Sequence, residues 1–385
     1  MKRALLAAAI VTVALGGCNW IKNLGKKDNV EPPKVLVEFA PTASVQTAWT
    51  GSVGKGSGKS GARMNPAGVG DRLYVAGVDG VVEALDASSG RTLWSVRDKK
   101  MRWSGGPAAN ESLVVVGSLG GQVRAFSATD GSQLWQTQLS SEIICAPAIA
   151  DGVVAVRSQD GRLFGLDPAD GAQRWVYEQT VPVLSLRGNA SPLIGSGLVF
   201  DGYDSGRLVA VRQNDGAPAW TQTLSNAEGR TEVERLADSD GQMVLDNGEI
   251  FATGYHGQVA AFYAENGRPS WARDLSSFAG LAVGSSAVVV SDADGNVWAF
   301  DRQSGANLWK QDDHLHRWLR PPALVGNYAV VGDLEGFVHW MNLADGSFAA
   351  RERLGKKPIE SAPVVSGDTV YVEDAGGRIG AYRTQ

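Results

Sequence analysis

Apolar residues in this chain come in short alternating runs, cut by turns that end in glycine. The clearest unit is DGRLFGLDPADGAQRW, from Asp160 to Trp175. It reads as a tight Asp-Gly turn, a short strand, a polar turn closing on Gly171, and a second strand carrying Trp175. At Val82 and Ala84, and again at Leu163 and Gly165, apolar or small side chains recur every second residue, the period of a strand. The first turn glycine recurs at Gly80, Gly121, Gly161, Gly206, Gly257, Gly295, Gly336 and Gly377, in steps of 41, 40, 45, 51, 38, 41 and 41 residues. Ten residues after each of the first seven stands another glycine: Gly90, Gly131, Gly171, Gly216, Gly267, Gly305 and Gly346. Four further on come Trp94, Trp135, Trp175, Trp220, Trp271 and Trp309, then Ala350 in the seventh position. The whole chain has only 12 Trp in 385 residues, so chance does not produce this frame.

Each unit holds two more strands. An apolar run precedes each first turn, as in Leu73 to Ala76 or Val370 to Val372. A shorter one lies before that, often with proline at its mouth: Pro107, Pro147, Pro192, Pro322, Pro363. Four strands in about forty residues is the unit of a propeller blade. A two-helix solenoid shares the repeat length, but Val, Gly and aromatic residues dominate here and helical periodicity is scarce. The tryptophans are expected to pack each blade on its neighbour, burying about 150–250 Å² apiece. The last unit, from Pro363, lacks its Trp strand, and Val45 to Trp49 supplies one at the other end. Pairing it with Gly380–Tyr382 closes a ring. The fold expected is therefore all-β, an eight-bladed β-propeller of four-stranded antiparallel blades, closed by its N-terminal and C-terminal strands.

Ahead of the ring, Met1-Lys2-Arg3 and the apolar run Ala4 to Leu15 read as a secretory signal, too short for a stable span. Leu15-Gly16-Gly17-Cys18 resembles the bacterial lipobox, which implies cleavage before Cys18 and lipidation of its thiol. The domains expected are a signal peptide at 1–17, a lipidated polar tether at 18–38 and the propeller at 39–385. Cys145, placed in an apolar strand, is the only other cysteine, so no internal disulfide is expected. The formal charge of −5, without a basic patch, argues against nucleic acid.

The two long steps put extra residues after Trp175 and after Trp220, at 176–191 and 221–242. Both connect an outer strand to the next blade's inner strand. On neighbouring blades such connections emerge on one face and form one patch. The first carries Val183, Leu184, Leu186 and Arg187; the second carries Glu232, Glu234, Arg235, Asp238 and Asp240. Apolar anchors beside Arg and alternating acids suit a protein partner. The plainer alternative is that Leu184 and Leu186 tuck onto the ring and the acids are solvated.

Four stretches carry a resemblance: ALDASSGRTLW (84–94), LSLRGNASP (184–192), TEVERLADSD (231–240) and GDLEGFVHWMNLADG (332–346). The first is similar to the tryptophan-docking repeats of quinoprotein-type propellers. Together with the lipobox, the set resembles the BamB family, lipoproteins of the β-barrel assembly machinery. The resemblance implies a non-catalytic protein on the periplasmic side of the outer membrane, anchored through Cys18, with Asn19 directing it there. It implies docking on a POTRA domain of a BamA-like barrel insertase. Leu184, Leu186 and Arg187 are then contacts in the first loop and Asp238 and Asp240 in the second, with Glu234 and Arg235 beside them. Sheet edges presented to unfolded outer-membrane proteins are a further expected contact.

Two rivals come from other classes. A quinone-dependent dehydrogenase would use a similar propeller, but this chain has no adjacent cysteine pair, and no cofactor is expected. A polysaccharide-binding propeller would need exposed aromatics, for which Trp298, Trp318 and Trp340 are candidates. His314-x-His316 could place two rings on one strand face, but no third ligand is evident, so no metal is expected there. The repeated Asp-Gly pairs are turn chemistry. GKGSGKS, at 54–60, lacks phosphate-loop spacing and reads as a linker.

Overall fold

The computed structural model describes residues 31–384, apart from 59, 151, 183, 185–187, 189, 227–230 and 232–236. The expected signal peptide, Cys18 and the expected tether up to residue 30 lie outside the described residues. Lys34–Gln385 forms one compact unit, built from eight four-stranded antiparallel sheets. Blades 1 to 7 each take four consecutive strands. Blade 1 begins at Ala67–Val69, blade 4 at Leu193–Gly195 and blade 5 at Val244–Asp246. The first strand of every blade touches the first strand of the next, and blade 8 touches blade 1, so the ring is complete. Second and third strands are buried on both faces, as at Val114, Val115 and Val116. Each blade is stacked between two others, and strict apolar–polar alternation therefore gives way to continuous apolar runs.

Blade 8 consists of Val364–Ser366, Thr369–Glu373 and Arg378–Thr384, completed by Val45–Ser52. Thr47 pairs with Tyr382, Trp49 with Ala381 and Thr50 with Gly380. This is the closure expected from the sequence.

The tryptophans explain why the frame is so regular. Trp94 of blade 1 donates its indole N–H to the Ala128 carbonyl of blade 2 at 3.0 Å. Its ring lies over Gly131, where an added Cβ would stand 2.6 Å from Cε3, on a backbone with φ +75°. Trp135, Trp175, Trp220, Trp271 and Trp309 repeat both contacts on the following blade. Trp49 makes the seventh such contact, with the Ala87 carbonyl and Gly90 of blade 1. The spacing of ten and four is thus a docking geometry, in which a glycine must lie under each ring.

Ala350 breaks the pattern for a reason in the topology. Its neighbour is blade 8, where the chain termini stand in place of the second turn, and a docking glycine is missing. The entering segment fills the position: the N–H groups of Thr42 and Ala43 both donate to the Ala349 carbonyl.

Three expectations change. The compact unit begins at Lys34 rather than at residue 39, because Arg317 and Arg351 hold the carbonyls of Lys34 and Val37. The 54–60 stretch is not a loose linker: Gly58 donates to the Ala375 carbonyl, and the Gly56 carbonyl accepts from Val78. Pro107 lies within a strand, Trp103–Ala109, whose register shifts around it.

One buried acid gives a pH prediction. Glu373 is 2% exposed, and neither carboxylate oxygen meets a donor among the described residues. Burial, then the neighbouring Asp374 charge, pushes its pKa well above the usual carboxylate range. The folded state thus holds this proton more tightly than the unfolded chain. That stability is present below the unfolded value, about 4.3, and is lost as pH rises through the folded one. Glu373→Gln should flatten the decline of the melting temperature as pH rises above the ordinary carboxylate range, leaving the variant more stable on the alkaline side. Identical pH profiles would contradict this reading.

Candidate functional site

The first excursion joins Gln173–Glu178 of blade 3 to Leu193–Gly195 of blade 4. The second joins Pro218–Thr223 of blade 4 to Val244–Asp246 of blade 5. They meet side by side. A Cβ on Gly188 of the first would stand 2.8 Å from an Asp240 carboxylate oxygen of the second. Ser239 donates its backbone N–H to the Tyr203 carbonyl, and Tyr255 donates its own to the Asp238 carbonyl. Gln242 then bridges to Gly280 of blade 6. The returning limb is therefore stitched to blades 4, 5 and 6, and its course is rigid.

Leu184 is exposed, at 44%, so it does not tuck onto the ring. Leu186, Arg187, Glu234 and Arg235 lie outside the described residues, as do Val183 and Glu232. Asp238 and Asp240, expected as partner contacts, are instead buried at 2% and 1% exposure. The Tyr203 and Tyr255 anchors pull this limb down into the ring and turn both carboxylates inward. Sequence spacing alone does not distinguish an acid on the outside of a loop from one beneath it.

Below the excursions lies a polar core that sequence reasoning missed. Arg157 and Asp201 are both fully buried, with Nε 3.1 Å from Oδ2. The same guanidinium lies over the Tyr203 ring, 4.1 Å from its centroid. Arg63 Nη1 donates to the Asp240 carbonyl at 2.6 Å, and Nη2 to the Phe278 carbonyl at 3.1 Å. Burial pushes the carboxyls of Asp201 and Asp204 up to about 7, and those of Asp238 and Asp240 upward as well. The available signal is RSQDGR at 157–162 against DGYDSGR at 201–207, where Arg157 and Asp201 stand in place of the usual apolar residues before the turn.

The central channel holds a cavity of about 390 Å³, lined by Arg63, Gln242, Glu360 and several prolines. No cysteine or histidine is among its lining residues. Cys145 is buried in the stretch before Ala148–Ala150 rather than in a strand, and burial pushes its thiol pKa far up, so it is a poor nucleophile. His314 and His316 sit in a connection rather than on a strand face. His314 is buried, its ring centroid 4.4 Å from that of His339, and burial drives its pKa well below the ordinary value. Among the proposed carbohydrate-stacking residues, Trp340 is fully buried and Trp298 donates to Asp292 at 2.8 Å. Trp318 alone is widely exposed, and it does not line the channel cavity.

Comparison with known proteins places these features in a family. The family model described as outer membrane protein assembly factor BamB matches residues 78–311. The curated BamB of Xanthomonas campestris pv. campestris is 42% identical, over 100% of this chain and 98% of that protein. BamB of Escherichia coli strain K12 is 36% identical, over 98% of each. Among solved structures, BamB from Moraxella catarrhalis superposes with a TM-score of 0.80 at 29% identity, covering 88% of this chain and 100% of that one. A quinohemoprotein alcohol dehydrogenase from Comamonas testosteroni, at 15% identity and TM-score 0.69 over 88% of this chain and 76% of its own, shares the fold alone.

Proposed function

The chain belongs to the BamB family of outer membrane protein assembly factors, and from that premise we propose that it is a non-catalytic scaffold for outer-membrane protein assembly. It is anchored at Cys18 on the periplasmic side of the outer membrane. It docks through the 179–192 and 224–243 excursions on a POTRA domain of a BamA-like insertase. The observation that carries this reading is the meeting of two excursions from adjacent blades on one face, with an exposed Leu184 on the first. A rigid ring that displays an apolar anchor on a tethered loop is built for protein contact. In this reading Leu184 acts with Leu186 and Arg187, and with Glu234 and Arg235 across the patch. Asp238 and Asp240 hold the second excursion in place from beneath. Unfolded outer-membrane proteins are a second class of partner, offered the outer strands of the blades as free edges.

Leu184→Ala combined with Arg187→Ala tests the docking. Recovery of the insertase in a pulldown should fall strongly, since truncating one interface hot spot costs about 2 kcal/mol or more. Leu308→Ala, on the outer strand Asn307–Gln311 of blade 6 and equally exposed, should leave recovery unchanged. Full recovery with a folded double variant would remove the docking proposal.

A further inference from the structure

Asp204 sits on the turn between Leu198–Tyr203 and Arg207–Arg212 of blade 4, while Asp238 and Asp240 lie on the returning limb of the second excursion. One carboxylate oxygen from each lies within 4.8 Å of the other two. Two oxygens bound to the same calcium ion at about 2.4 Å can stand at most about twice that distance apart, so this spacing fits one coordination sphere.

A second observation is separate from the clustering. All three side chains are at least nine-tenths buried. Both oxygens of Asp204, both of Asp240 and Oδ2 of Asp238 lack a well-formed hydrogen bond among the described residues. The Asp238 carboxyl and the Ala190 N–H lie close enough to Asp240 to pull its pKa down against burial without closing one. Asp238 Oδ1 accepts from the backbone N–H of Asp240. Of the two nearby guanidiniums, Arg63 is held by two carbonyls, and Arg157 lies beside Asp201 and over the Tyr203 ring with no hydrogen bond to any of the three acids. Counting Asp201, four buried carboxyl groups share this core with two guanidiniums, so acidic groups outnumber basic ones where a cation would sit. Buried carboxylates without donors are strongly unfavourable unless something neutralises them.

We propose that Asp204, Asp238 and Asp240 bind a divalent, oxygen-preferring cation of the calcium type. An all-carboxylate donor set selects hard cations over zinc or copper. The ion would clamp the blade 4 turn to the second excursion. This site stands apart from the docking reading, because it needs only this chain.

Calcium titration of the chelator-treated chain tests it by calorimetry. The expected result is saturable one-to-one binding and a melting temperature that rises with calcium. Asp204→Asn/Asp240→Asn keeps side-chain volume and should weaken binding at least about tenfold, the lower end of the loss caused by removing even an outer-shell partner. Asp204→Asn alone serves if the double variant does not fold, with the same direction of change. Failure to saturate by about 1 mM calcium, the weak end for extracellular calcium modules, overturns the proposal. Equal binding by wild type and variants overturns it too. A guanidinium or shared protons occupying the place of the ion would produce the first of these results.

Discussion

Trp94→Ala should lower stability by about 3–5 kcal/mol, the range for truncating a large buried aromatic. The indole is nine-tenths buried and packs with Tyr74, their centroids 6.0 Å apart. It also bridges two blades, so its removal opens a cavity at the joint between blades 1 and 2 and weakens ring closure there. The Ala128 carbonyl keeps donors from Arg72 and Tyr74, so the loss is mainly one of packing. Trp94→Phe should therefore recover much of it. Gly131→Ala attacks the same joint from the other side, since its Cβ would stand 2.6 Å from the indole on a backbone with positive φ. Urea denaturation monitored by tryptophan fluorescence and by circular dichroism measures the effect. A loss under about 1 kcal/mol would mean that the joint repacks and that the tryptophan frame has some other cause.

How much of this was legible beforehand follows from what repeats and what does not. The docking glycines and tryptophans occur seven times in three dimensions, so their spacing survives in the sequence as a period. The closing strand was legible for the same reason: Val45 to Trp49 is a blade strand without a blade. The meeting of the two excursions was also readable, because insertions at equivalent places on adjacent blades emerge together. What lies beneath them was not. Asp238 and Asp240 occur once, and their inward turn depends on backbone bonds to Tyr203 and Tyr255, residues far away in the chain. Asp204 looks like any turn aspartate until blade 5 brings the other two against it. Lys34 reads as part of a tether because it sits among polar residues and prolines. The side chains that secure it, Arg317 among them, lie some 280 residues later.

Arg317 is where the second large effect is expected: Arg317→Ala should cost about 3–5 kcal/mol, as breaking a buried ion pair from one side does. The side chain is 2% exposed. Its Nε donates to Asp333 at 2.8 Å, Nη1 donates to the Lys34 carbonyl at 2.8 Å, and Nη2 pairs with Glu335. Truncation would strand the fully buried Asp333 carboxylate and release the Lys34 carbonyl together. Burial by itself would raise the Asp333 pKa. The His339 hydrogen bond and charge, Arg317 and the Phe337 N–H outweigh it and hold the carboxyl below its usual range. A depressed folded pKa contributes stability that is present above the unfolded value and lost as pH falls through the folded one. The gap between wild type and Arg317→Ala should therefore narrow on acidification through the carboxylate range. Arg317→Lys should rescue little, because one ammonium cannot reach Asp333, Glu335 and the Lys34 carbonyl in the planar arrangement a guanidinium offers. Denaturation at several pH values, with limited proteolysis near residue 34, measures both consequences. A small, pH-independent loss with the entering segment still protected would show that His339 and the backbone N–H groups suffice to hold Asp333 and that Arg317 is not the clasp of this corner.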